Sequence, residues 1–341
     1  MTLLRTVSLS VLLVAGLAAC GRQETDAGSS PEFVVVYSSM DESELAPFYE
    51  GFRASTGIRV QQVSGDYERL LELMHDRQWR PAADVFLATG SATLGHAAAE
   101  NVFRPTYSDD IEQKVPARFR DPDHLFSAFA MRPNAIVVDR AVSAAPVPVR
   151  YESLAEPEWD GKLCLTTSAK PENIAWVSML LARHDKREAE MIVRRMIGNL
   201  AAPVFDDVPA LMAAIESGIC GAAIADLRAA DLYLATHANA DISLVLPSAA
   251  NGGTQVDVVG AGVTRHATDP EAAVRFVEWL AGIEGQRTVV EAGTGLPVST
   301  EADVAAVHDR FGALSPADTD VSQLAMFSTE AIALVERAHY P

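Results

Sequence analysis

The chain has 341 residues, 49% apolar and 21% charged, which allows about two domains with buried cores and excludes a disordered or fibrous protein. Lys and Arg number 27 against 46 Asp and Glu; the net charge of −19 excludes a nucleic-acid binder, because neutralising a phosphate backbone needs surplus cations. An acidic surface favours solubility and disfavours anionic membranes, and it leaves the fold open.

Residues 1–19 read as a signal peptide. Arg5 precedes the apolar run Val7–Gly16, too short to span a membrane, and Leu17-Ala18-Ala19 leads into Cys20 in the manner of a bacterial lipobox. Cys20 is therefore expected to be lipidated, with residues 20–31 as a polar, small-residue tether. The alternative is an ordinary secretory peptide in which Cys20 is incidental. Two cysteines remain, Cys164 and Cys220. In an oxidising compartment an even pair is expected to bridge, and two separately buried thiols are the alternative.

Beyond the tether, strand and helix patterns alternate. Phe33–Tyr37 is an apolar run suited to a buried parallel strand, and Glu42–Ala54 has helical spacing through Leu45, Phe48, Tyr49 and Phe52. A strand at Ile58–Val63, a helix at Tyr67–Asp76, a strand at Asp84–Ala88 and a helix through Leu94–Ala99 follow. Further strands are predicted at Ala135–Asp139, Leu163–Thr166, Ala222–Ala225, Ile242–Leu246 and Val258–Val263, with a loop at Ser143–Val149. This alternation predicts an α/β fold of doubly wound sheets with helices on both faces. In such sheets ligands sit beyond the carboxyl ends of the strands. The candidate site residues are thus Ser38–Asp41, Ala88–Ser91, Thr166–Lys170 and Asp226–Arg228.

No catalytic or metal motif emerges. The eight His are scattered, without HExxH spacing, and neither a G-x-S-x-G elbow nor a P-loop is present. The doublets Asp109-Asp110 and Asp206-Asp207 read as helix caps or loop residues. The chain is expected not to be an enzyme and to need no cofactor.

The stretches VVVYSSMDESELAPFYEGFRASTGIRVQQVSGDYERLLELM, PAADVFLATGSATLGHAAAENVFRP, YESLAEPEWDGKLCLTTS, LMAAIESGICGAAIAD and GGTQVDVVGAGVTRHATDPEAAVRFVEWLAGIEGQ follow one another in order. Together they resemble the ferric-binding-protein branch of periplasmic solute-binding proteins for ABC importers. The resemblance implies a two-lobe clamshell, each lobe a doubly wound mixed sheet. The chain would cross near Phe129–Val138 and recross near Val256–Val263. Lobe one would take residues 32–130 plus 257–297, and lobe two 131–256 plus 298–341. It also implies a lipid-anchored monomer in the periplasm that touches the membrane only through its anchor. Its partners would be a small-molecule ligand and an ABC permease with its ATPase.

Ferric-iron members of this branch use two adjacent tyrosines after the strand matching Ala222–Ala225, a His in the first loop and a Glu after the strand matching Asp84–Ala88. Here those places read Arg228-Ala229, Asp41 and Thr89. A guanidinium stays protonated and does not ligate metal, but its planar fork suits carboxylate, phosphate or phosphonate. The expected cargo is a small organic anion or zwitterion, phosphonate- or amino-acid-like, as in relatives that take aminoethylphosphonate. It would be held by Ser38, Ser39, Met40, Asp41, Thr89, Gly90, Arg132, Ser168, Lys170, Asp226 and Arg228. A salt bridge from Arg228 to Asp226 or Asp231 is the competing role for that side chain. Other readings are a hydrophobic or lipid-like ligand among Met40, Leu87, Ala88, Ala229 and Ala230, a ferric or other metal complex, and an envelope enzyme or protein-interaction module.

Overall fold

The structure is a computed structural model, and it describes residues 33–76, 78–141, 147–299 and 314–341. The expected signal peptide, Cys20, the tether and residues 143–146 of the expected loop lie outside the described residues.

Strand β1 (Phe33–Ser38) is apolar and buried along most of its length, as suits a strand covered on both faces. Helix α1 (Glu42–Thr56) buries Leu45, Phe48, Tyr49 and Phe52, the stripe its spacing predicts, and stops at Gly57, whose φ of 78° is left-handed. β2 (Arg59–Ser64), α2 (Tyr67–His75), β3 (Val85–Thr89), α3 (Ser91–Ala99) and α4 (Asp109–Lys114) follow. The 13-residue β4 (Ser127–Asp139) leads into β5 (Leu163–Cys164), α5 (Pro171–Arg183), α6 (Lys186–Gly198), α7 (Val208–Glu216), β6 (Ala222–Asp226), α8 (Leu227–Thr236) and β7 (Ile242–Val245). β8 (Val256–Val263) returns the chain to α9 (Pro270–Ala281), α10 (Ile283–Ala292) and β9 (Leu296–Pro297), and α11 (Val321–Arg337) is the last helix.

The sheet runs in the order β2-β1-β3-β8-β4-β6-β5, with β7 and β9 also paired to β4. β1 is parallel to β2 and β3, β5 is parallel to β6, and β8 is antiparallel to β3 and β4. One strand serves both lobes: β4 pairs with β8 over Ser127–Pro133 and with β6 over Asn134–Val138. A first core packs β1, β3, β8, α1 and α9 around Phe48, Phe52, Phe86 and Phe276. The second lobe is packed around Trp176, Leu180 and Ile224 on one side and Leu211, Ile215 and Ala223 on the other. Helix α11 packs on both α5 and α3.

The alternation was legible in the sequence, but two elements differ from it. The predicted strand Ala135–Asp139 is only the end of β4, because Arg132 and Pro133 interrupt the apolar pattern of its first half. The predicted Leu163–Thr166 shortens to Leu163–Cys164, after which Thr166 turns to bridge Phe205 and accepts from the Asn173 amide. Cys164 and Cys220 are bonded, with Cα atoms 5.8 Å apart, tying β5 to the entrance of β6.

Candidate functional site

The candidate residues lie in four loops between strand ends and helix starts, after β1, β3, β5 and β6. At the end of β1, the buried Ser38 hydroxyl accepts the Met40 N–H at 3.1 Å, and the Met40 carbonyl accepts Gln62 Nε2 at 2.8 Å. Ser39 and Asp41 are exposed, and the Asp41 side chain makes no cap bond to α1.

At the end of β3, Thr89 is half-buried, and Gly90 turns with φ 98° to donate its N–H to the Val258 carbonyl at 2.8 Å. The N-terminus of α3 is occupied by the chain's own carboxylate: Asp257 Oδ1 accepts the Ser91 N–H at 2.8 Å and its neighbour Val258 N–H at 2.9 Å. In the second lobe Lys170 opens α5 ahead of Pro171, half-buried, with its carbonyl accepting from Asn173. Ser168 donates its N–H to the Pro341 carbonyl at 2.6 Å, so this loop leans on the chain's C-terminal residues.

Asp226 is 2% exposed and does two jobs. Its Oδ1 caps α8 by accepting the Ala229 N–H, and its Oδ2 accepts Arg132 Nε at 2.8 Å. The salt bridge of Asp226 therefore belongs to Arg132, not to Arg228. Burial acts to lower the Arg132 pKa, but Asp226, Glu172 and Asp257 around it raise it overall, and the guanidinium is held charged.

Arg228, the second residue of α8, reaches across to the first lobe, where Nη2 donates to the Ala292 carbonyl at 3.0 Å. That carbonyl lies at the C-terminal end of α10, where the helix dipole favours a cation. Gly293, with φ 64°, leaves room for the side chain: a Cβ there would lie 2.7 Å from Arg228 Nε. Among the described residues this is the hydrogen bond Arg228 makes.

Glu172, Asp257 and the Ala292–Gly293 turn were not anticipated. Asp257 did leave a signal, a lone acid inside the apolar run Val256–Val263. Nothing in the sequence marks a backbone carbonyl as a partner. A cavity of about 340 Å³ lined by His75, Arg80, Asn101 and His266 lies in the first lobe, by the C-terminal ends of α2 and α3. None of the candidate ligand residues lines it.

A continuous sheet that β4 carries between two cores, with strand-end loops facing one another, defines a two-lobe binding protein. The profile of the bacterial extracellular solute-binding proteins matches residues 34–294, and the chain belongs to that family, in its ferric-binding-protein-like group. Iron uptake protein A1 of Synechocystis sp. is 27% identical over 297 residues, covering 83% of this chain and 81% of the relative. The Fe(3+)-binding periplasmic protein of Serratia marcescens is 25% identical over 282 residues, covering 82% and 81%. Among solved structures, the Trichodesmium FutA (IdiA) protein in complex with iron and citrate superposes with a TM-score of 0.83 at 26% identity, over 91% of this chain and 100% of that one. The open ferric iron-binding protein A of Mannheimia haemolytica, at 22% identity and TM-score 0.82, covers 91% and 99% and shares the fold.

Proposed function

We propose that this protein is the periplasmic capture component of an ABC importer and that its cargo is ferric iron carried as a preformed complex with an organic carboxylate. The supporting observation is Arg228. Relatives are named for iron uptake, and one holds iron together with citrate. Yet the place that resemblance assigns to paired phenolates carries a guanidinium, and no group of three or more His, Cys, Asp or Glu among the described residues is arranged to hold a metal. On this reading the oxygen ligands arrive with the iron. The complex presents carboxylate oxygens outward, and the remaining N–H groups of Arg228 match them with charge-assisted bonds.

On this reading lobe one is residues 32–130 with 257–297 and lobe two 131–256 with 298–341, and the monomer is tethered through lipidated Cys20. Loop residues Ser38, Thr89, Gly90 and Lys170 border the cargo, and Arg132 and Asp226 fix the cleft floor. Closure around cargo is read by the permease and its ATPase, without turnover of the solute.

The second reading is a metal-free organic anion, and the same guanidinium favours it. Calorimetric titration with ferric citrate, citrate alone and aminoethylphosphonate separates the two. The expected result is one ferric citrate per chain, bound at least tenfold more tightly than citrate, a difference of about 1.4 kcal/mol. Equal or tighter binding of either iron-free ligand overturns the ferric reading.

A further inference from the structure

We propose that Asp257 and Glu172 form a proton-binding site at the hinge, which lobe closure buries, so that closing the lobes takes up a proton and opening them releases it. The inference concerns the hinge itself and holds whatever the cargo.

The site lies where the two crossing strands meet. Arg132 of β4 and Asp257 of β8 are register partners, and Asp226 at the end of β6 binds Arg132 at 2.8 Å. From α5 comes Glu172, from α3 the uncharged Ser91, and from the segment after α11 Tyr340, whose phenol burial and Glu172 together push upward. Three carboxylates thus share the one guanidinium of Arg132, and Asp226 takes its short bond.

Asp257 is 1% exposed. Its Oδ1 has two N–H partners, whereas Oδ2 is buried without an aligned hydrogen bond, the Ser91 hydroxyl standing beside the carboxyl. A buried carboxylate oxygen left this way is costly, and a proton on it removes the charge. Gly90 of the first lobe stands between it and Pro171 of the second: a Cβ at Gly90 would lie 3.2 Å from the Pro171 Cβ and 3.6 Å from Asp257 Oδ2. Moving Pro171 and Glu172 away with the second lobe admits water to Oδ2.

Burial raises the pKa of Asp257 against the pull of its N–H donors and Arg132. Burial also raises that of Glu172, with Asp226 and Asp257 adding to the rise and Arg132 opposing it. Both carboxyls therefore bind protons more tightly where this burial is in place; on the proposal closure supplies it, so closure weakens as pH rises above the ordinary carboxylate range towards the raised values. One linked proton changes the closed-to-open ratio by up to about tenfold per pH unit. A neutral site also lowers the repulsion of an anionic cargo.

Small-angle X-ray scattering of the cargo-free full chain at about pH 5 and about pH 8 tests this. The expected result is a more compact wild type at the lower pH, and Asp257→Asn and Glu172→Gln variants, neutral at both, whose response is flattened. Identical wild-type dimensions at both pH values, or an undiminished response in the double variant, overturn it. If the variants do not fold, the infrared C=O band of a neutral carboxyl in the wild type decides. The band must fade as the lobes open, and its absence in acid or its persistence throughout sinks the proposal. Because no cargo is present, failure here leaves the ferric reading standing, and failure of ferric citrate to bind leaves this result untouched.

Discussion

At position 228 a guanidinium leaves the first turn of one helix in the second lobe and ends on the last carbonyl of another helix in the first. This bond to Ala292, 64 residues away, links the two lobes. Replacing it with Ala is expected to weaken ferric citrate binding by roughly 1.5–3 kcal/mol, the worth of a charged hydrogen bond, as measured by calorimetry. Unchanged affinity would remove the side chain from the cargo site. The residue type was readable in the sequence, and so was its suitability for an oxyanion. Its partner was not, since a helix-end carbonyl has no residue signature. Asp226 shows the same limit: a short-range partner at 228 was reasonable, but β4 delivers Arg132 to 2.8 Å from a position 94 residues earlier.

The elements divide by how local their causes are. The buried stripe of α1 follows from spacing alone, and the Asp207 side chain caps α7 by accepting the Ala210 N–H, as an acid before a helix is expected to do. The long β4 escaped notice because its Arg132 and Pro133 break the apolar run, and they are tolerated only at the crossing between lobes. Helix α11 lies against both α3 and α5, and it approaches α3 tightly at Gly95, where a Cβ would lie 2.3 Å from the Ala325 Cβ. Gly95→Ala adds helix propensity of about 0.5–1 kcal/mol but overpacks this contact at about 1–3 kcal/mol. A net loss of roughly 1 kcal/mol is expected in urea unfolding, recovered in part by adding Ala325→Gly. A stabilised single variant would show that the two helices separate readily.

For the molecule as a whole, the two lobes are stapled unequally. The Cys164–Cys220 bond closes 56 residues of the second lobe and leaves the first without a covalent constraint among the described residues. Replacing both cysteines with Ala is expected to cost about 4 kcal/mol in the chain-entropy account, and amide exchange should rise in residues 163–226 before residues 33–130. Simultaneous loss of protection in both lobes would mean that the shared strand β4 binds them into one cooperative unit. By itself the sequence determined what neighbours along the chain control: buried strands, amphipathic helices and the loops at the strand ends. Tertiary structure alone decided which charges meet. Arg132, Glu172, Asp226 and Asp257 lie on four different elements, and only the pairing of β4 with β8 and β6, with α5 packed beside them, brings them together, because electrostatic pairing depends on distance in space and leaves no period in the chain.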